Sequence, residues 1–246
     1  MSLFSKGFNN VREEQKRQEE SFKRRKGQLF KFFLTNNQPD GTIVFLHNEP
    51  ITFAAHTVKN SNQKWETKIC VTGQDECEYC NRGDKPALKG AYIIIDRTPF
   101  EVKDSDGKTT INEGQLKLYI ASTRVLSQLD RKNSKNIDKG GKGLIGKEWD
   151  ISRTGTGTNT MYEFEMGDDF EVNSTVINDL LNDELQQFAP KNDSPAEIER
   201  AMTELLKEQL NKMLPYEDGS NGDSDDEAEE ESQPKRSSLV GRRLKK

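Results

Sequence analysis

Cysteine and histidine are scarce in this chain: three of the first and two of the second among 246 residues. An odd cysteine count, with no apolar leader at the start, argues against a disulfide framework and for a reducing, cytoplasmic setting. Long apolar runs are missing too, and none approaches the roughly 18 residues that a membrane-spanning helix needs. Hydrophobic residues make up only 31% against 32% charged. That balance excludes one large core along the whole length, so part of the chain must be tail or exposed helix. Catalytic parts are equally thin. No Ser/His/Asp or Cys/His arrangement survives if the cysteines are committed elsewhere. The Thr154-Gly155-Thr156-Gly157-Thr158 run lacks the lysine and spacing of a phosphate loop. Clustered carboxylates for two-metal nuclease work are not displayed. The expectation is a protein that is not an enzyme.

What is scarce is also concentrated. All three cysteines and one histidine fall in a single string, His56-x13-Cys70-x6-Cys77-x2-Cys80. Three thiols and one imidazole complete one tetrahedral site for Zn2+ and leave no position open, the pattern of a structural metal. Three alternatives stand beside it: inert buried thiols, a disulfide, or a CxxC redox pair. The last usually sits at a strand-to-helix junction, whereas Asn81-Arg82-Gly83-Asp84-Lys85-Pro86 is turn chemistry. His47 is the competing imidazole, further from the cysteines.

The net charge of -5 conceals segregation. Residues 1–31 balance at +5, residues 32–166 at zero, residues 167–216 at -7. Nine acids and no base follow in 217–231, then six bases and no acid in 235–246. A neutral body thus lies between a basic head and an acidic tail. We divide the chain into a basic arm (1–27), a folded core (28–190) with its metal loop at 56–86, a helix (191–216), and a low-complexity acidic tail with a basic end (217–246).

Within the core, strands are expected from residue 28 to 34, at 42–46, 51–58, 65–71, 91–96 and 115–122. Tight turns are expected at Asp40-Gly41, over residues 60–63 and at Asp104-Ser105-Asp106-Gly107. Val125, Leu126 and Leu129 mark a short helix over 123–129, and 132–146 reads as a Gly/Lys-rich loop. Segments 148–153 and 160–165 form a last hairpin. Ser174 is placed to cap a helix carrying Ile177, Leu180, Leu181 and Leu185. Ser194-Pro195-Ala196-Glu197 opens another, with Glu197 reaching back to the cap and Ile198, Met202, Leu205, Leu206 and Leu210 inward.

Short strands, turn signals and a helix between strands suggest a mainly β fold with some α, a small Greek-key barrel. Such a barrel offers a concave face on which aromatics stack unpaired bases and basic residues follow phosphates. Most aromatics belong in the core. Tyr92, Tyr119, Trp149 and Tyr162, each near a basic or polar residue in sequence, are the stacking candidates. Arg97, Lys117, Arg124, Lys139, Lys142, Lys147 and Arg153 are the phosphate candidates. From Lys117 to Arg153 there are nine basic residues against four acidic.

These pieces resemble a known family: the single-stranded DNA-binding proteins of tailed phages whose OB barrel holds one zinc. The resemblance rests on the His56, Cys70, Cys77, Cys80 string and on the run from Cys77-Glu78-Tyr79-Cys80 to Pro86. Ile93-Ile94-Ile95-Asp96-Arg97, Trp149-Asp150-Ile151-Ser152-Arg153 with the Thr-Gly run, and the layout of arm, barrel and tail add to it. It spans about residues 20–190 and implies a protein that coats single-stranded DNA in phage replication, recombination and repair, in the host cytoplasm, away from membranes. It implies a cooperativity role for Lys23, Arg24, Arg25 and Lys26 through self-association on DNA. It implies recruitment of replication and recombination proteins by Asp223, Asp225, Asp226, Glu227, Glu229, Glu230 and Glu231. The chain departs from the family in a shorter Cys70-to-Cys77 loop and in a basic rather than acidic terminus. A zinc-ribbon adaptor that binds proteins is the alternative from another class, favoured by the acidic, helical last third.

Overall fold

The computed structural model describes residues 27–59, 65–71, 76–103, 109–112 and 114–214. The strand β5 (Ala87–Asp96) organises them. Its apolar run alternates between two cores: Ala91, Ile93 and Ile95 face one, Tyr92 and Ile94 the other. A strand buried on both faces needs no polar side, which is why this stretch reads as a continuous apolar run. β8 (Gln115–Ser122) pairs antiparallel along its whole length, from Lys89↔Ser122 to Asp96↔Gln115. The other edge of β5 is shared. β2 (Asp40–Phe45) takes Ile94 to Asp96, and β3 (Ile51–Lys59) takes Ala87 to Ala91.

Beyond β2 come β9 (Lys147–Thr154) and β10 (Met161–Asp169), both antiparallel to their neighbours. At the opposite end β1 (Phe30–Phe32) lies parallel to β8. β4 (Trp65–Ile69) extends from β3. The result is an eight-stranded mixed sheet in the order β1-β8-β5-β2-β9-β10, with β3 and β4 attached at β5. A separate two-stranded ladder joins β6 (Phe100–Lys103) to β7 (Thr109–Asn112). The mainly β class with a few helices is as expected. Among the described residues no pairing joins the end strands β1 and β10 into a closed barrel.

Each face is covered differently. On the first, α3 (Ser174–Leu180), the 3-10 turn Asp183–Phe188 and α4 (Pro195–Asn211) bring Ile177, Leu185, Met202 and Leu205 onto Val44, Ile93 and Leu118. Each such side chain, fully buried, contributes about 1.5–3 kcal/mol. Buried Gln209 of α4 fastens the start of the body: its Oε1 accepts from Leu29 N–H at 2.8 Å, and its Nε2 donates to the Gly27 carbonyl at 3.0 Å. On the second face, α2 (Thr123–Asp138) sets Val125 and Leu129 against Phe45, Tyr92 and Trp149.

Local details differ from expectation for identifiable reasons. α2 runs on through residues 130–138, where a loop was expected from 132; the apolar pattern hid this because the third inward residue is polar. Asn136, one heptad after Leu129, is buried and donates to the Gly143 carbonyl at 2.6 Å, so the apolar period breaks while the helix does not. α3 is capped by Asn173, whose Oδ1 accepts from Val176 N–H at 2.9 Å; Ser174 turns instead to Asp193. Ser194 does cap α4, accepting from Glu197 N–H at 3.3 Å. Glu197 does not reach back to it. It accepts from Lys191 N–H and pairs with Arg200, which holds its carboxyl down at about 2.

Candidate functional site

The four scarce residues meet. His56 lies in β3, and Cys70 directly follows β4, its N–H donating to the Ala54 carbonyl at 2.8 Å. The β3–β4 ladder therefore sets these two side by side. Cys77 and Cys80 come from one turn, α1 (Glu78–Asn81), which Cys77 caps. Gly83, at a φ of +87°, then turns the chain away with its N–H on the Cys80 carbonyl, a conformation that suits glycine.

The donor atoms of all four lie within 4.8 Å of one another. Cys70 Sγ is 3.5 Å from Cys80 Sγ, and His56 Nε2 is 3.4 Å from both Cys77 Sγ and Cys80 Sγ. A tetrahedral ion with bonds of about 2.0–2.3 Å places its ligands roughly 3.5–3.8 Å apart, close to these separations. His56 and Cys77 are buried, Cys70 and Cys80 half-buried, and the Tyr79 ring stands 5.3 Å from the imidazole. Among the described residues His56 Nδ1, which is buried, has no hydrogen-bond partner, so they hold the ring only through Nε2 and its packing. This set can hold one metal ion, closed on all four sides.

The stacking candidates divide. Tyr92, Tyr119 and Trp149 are 2%, 5% and 0% exposed, which corrects their placement on a stacking surface. They are core. Tyr92 meets Phe45 edge-on at 5.0 Å and lies parallel to His47 at 5.3 Å; Tyr119 meets Phe32 edge-on at 5.7 Å. Burial pushes both phenols well above their usual range. Trp149 donates its indole N–H to the Leu144 carbonyl at 2.9 Å. Flanking polar residues misled because strand neighbours point to opposite faces: Glu148 and Asp150 beside Trp149 mark alternation rather than a wet aromatic. Tyr162 is half-buried.

Several phosphate candidates are engaged within the protein. Lys117 pairs with Asp96 at 2.7 Å, Lys147 with Asp169 at 2.7 Å, and Arg97 with Glu148 at 3.1 Å while also covering the Phe170 ring. Arg153 hydrogen-bonds Asn36. Arg124, Lys139 and Lys142 are exposed. Lys23 to Lys26 and Asp223 to Glu231 lie outside the described residues, as do the turns expected at 60–63 and 104–107.

A different surface emerges. A cleft of about 230 Å³ is lined by Phe33, Leu34, Lys89, Tyr119, Val125 and Tyr162 among others. Phe33 is 59% exposed, and its neighbour Phe30 68%. Lys89 reaches the hydroxyls of Thr57 and Thr67, both at 3.2 Å; burial and the positive charge of Lys31 lower its pKa. On the hairpin that also carries His56, Trp65 is 66% exposed, with Lys59 Nζ 5.2 Å above its ring. Phe33 and Lys89 were not singled out from the sequence. The available signal was Phe30, Phe32 and Phe33 within four residues, too many aromatics for one buried face of a short strand. Among the described residues no helix is long and apolar enough to cross a membrane. Comparisons with protein-family models, with curated proteins and with solved structures find no match to this chain.

Proposed function

We propose that this chain is a non-enzymatic protein that binds single-stranded DNA, with one structural zinc. The observation that carries the reading is the cleft between Phe33 and Tyr162, where exposed aromatic surface adjoins Lys89 and Lys31. Aromatic faces stack on any base, and lysines attract any phosphate, so such a site takes unpaired strands with little regard to sequence. Duplex bases are already stacked on each other and present no free face. Trp65 with Lys59 extends the same chemistry onto the β3–β4 hairpin.

Three thiolates and an imidazole favour zinc among the common ions. The metal would offset two of the three thiolate charges and tie β3, β4 and α1 together, so its role is to hold the Trp65 hairpin in place. The resemblance to zinc-containing phage proteins supports the same assignment and an OB-type relationship for the sheet. It extends the reading to replication, recombination and repair in the host cytoplasm, with the basic arm joining neighbours on DNA and the acidic tail recruiting proteins.

The direct test is a fluorescence titration with an oligo-dT strand. Phe33→Ala is expected to weaken binding by about 1–3 kcal/mol, the range for losing one stacked base. Unchanged affinity, with zinc content intact, would remove the cleft from the account. Elemental analysis of the purified protein should give one zinc per chain.

A further inference from the structure

The turn that follows α2, residues 139–146, is built with unusual care for a surface segment of glycine and lysine. Such a composition gains little from burial and normally costs conformational entropy to order. Here three asparagines, one from the β2–β3 connection and two from the end of α2, occupy its inward backbone groups. Asn48, in the β2–β3 connection, accepts from Leu144 N–H at 2.7 Å and Ile145 N–H at 3.1 Å, and donates to the Lys142 carbonyl at 3.0 Å. Asn133 accepts from Leu144 N–H at 3.0 Å, and buried Asn136 donates to the Gly143 carbonyl at 2.6 Å. The Leu144 carbonyl takes the Trp149 indole, and the Gly146 carbonyl takes Phe170 N–H at 3.1 Å.

The glycines follow from this packing. Gly143, at a φ of +82°, leaves no room for a side chain: a Cβ there would collide with the amide oxygens of Asn133 and Asn48. A Cβ on Gly141 would strike the Asn136 amide. What the turn shows to solvent is charge. Lys139 and Lys142 are exposed, and exposed Lys135 precedes them on α2. Asp138 and, further back, Asp130 are the carboxylates on the same helix, and Glu49 adjoins Asn48. Val125, near the other end of α2, lines the Phe33 cleft, so the turn and the cleft share one helix and one side of the sheet.

We infer that this turn is a preformed site for the phosphodiester backbone of a single strand, with Lys139 and Lys142 as the phosphate contacts and Asn48, Asn133 and Asn136 as positioning residues. The inference rests on the reading of the chain as a single-strand binder. A turn fixed before binding loses less entropy when a strand arrives, which is the physical use of three asparagines spent on two lysines. A phosphate site is indifferent to bases.

Binding is measured for an oligo-dT strand and for an abasic strand of the same length, across a salt series. Each phosphate contact to a single strand contributes about 0.7 to the slope of log affinity against log salt, so the double variant Lys139→Gln/Lys142→Gln should flatten it by about 1.4 on both strands. Lys207→Gln, on α4 across the sheet, should leave it unchanged. Asn48→Ala should flatten the slope with both lysines still present, and the zinc content should be retained. A slope unaltered in the double variant, while the parent protein binds, overturns the site alone. An unaltered slope in Asn48→Ala, with only a lower melting temperature, overturns the positioning role. A parent protein that binds neither strand overturns the single-strand reading and this inference with it.

Discussion

His47 is the second imidazole of the chain, and it has a structural task of its own. Its Nδ1–H donates to the Glu49 carbonyl at 2.7 Å, which leaves Nε2 to accept from Ile93 N–H at 2.9 Å. Both nitrogens are used, so the neutral ring fits and the cation does not: a second ring proton would face the Ile93 N–H. Burial accordingly lowers its pKa below 6.5. The unfolded chain therefore takes up a proton at a pH where the folded chain does not. The contribution of His47 is complete above about pH 6.5 and is lost as the pH falls below it. Thermal melts of the parent and of His47→Gln, whose amide keeps a donor and an acceptor but does not titrate, should converge in acid. Comparing the two cancels the acid loss of the metal centre; parallel curves would count against the tautomer assigned here. Cys77→Ser belongs at this scale too. Removing one of four ligands should lower metal content and melting temperature together, since binding and folding are linked. Full stability with no metal by elemental analysis would contradict the centre.

Among the elements, Gln209 shows how a single polar residue can join parts 180 positions apart in the chain. Replacing it with alanine would leave the buried Leu29 N–H without its acceptor and cost about 1–3 kcal/mol in denaturant unfolding. A loss no larger than that of an exposed α4 residue would show that β1 is held otherwise. Elements were legible in the sequence wherever side-chain period alone decides them. Ala91 to Asp96 announced a strand, though not its start at Ala87, residues 115–122 matched β8 at both ends, and Ile198 to Leu210 announced the α4 stripe. Reading failed where a polar residue points inward. Asn136 hid half of α2, and Asn173, rather than Ser174, capped α3. The metal cluster was legible because its residue types are rare and their spacing is characteristic. The aromatic surface was not, because alternation tells that two faces differ without telling which one is wet. So Trp149 sits in the core and Trp65 outside.

Over the whole molecule, charge and cover are unequally spread. The sheet has helices of the last third on one face and α2 with its lysine-bearing turn on the other. Sequence adds a basic arm before the body and nine acids in 217–231. An acidic segment competes with phosphate for any basic cleft, so ending the chain after Leu214 should tighten binding to oligo-dT, most at low salt where charges are least screened. Weaker binding by the shortened chain would show instead that the basic end, from Lys235 to Lys246, meets the strand. The most direct measurement is the affinity of the full chain for oligo-dT and for a duplex of equal length at about 50 and 200 mM salt, conditions between which phosphate contacts weaken markedly. The account predicts tighter binding to the single strand at both, with affinity falling as salt rises. Preference for the duplex, or an affinity indifferent to salt, would contradict it.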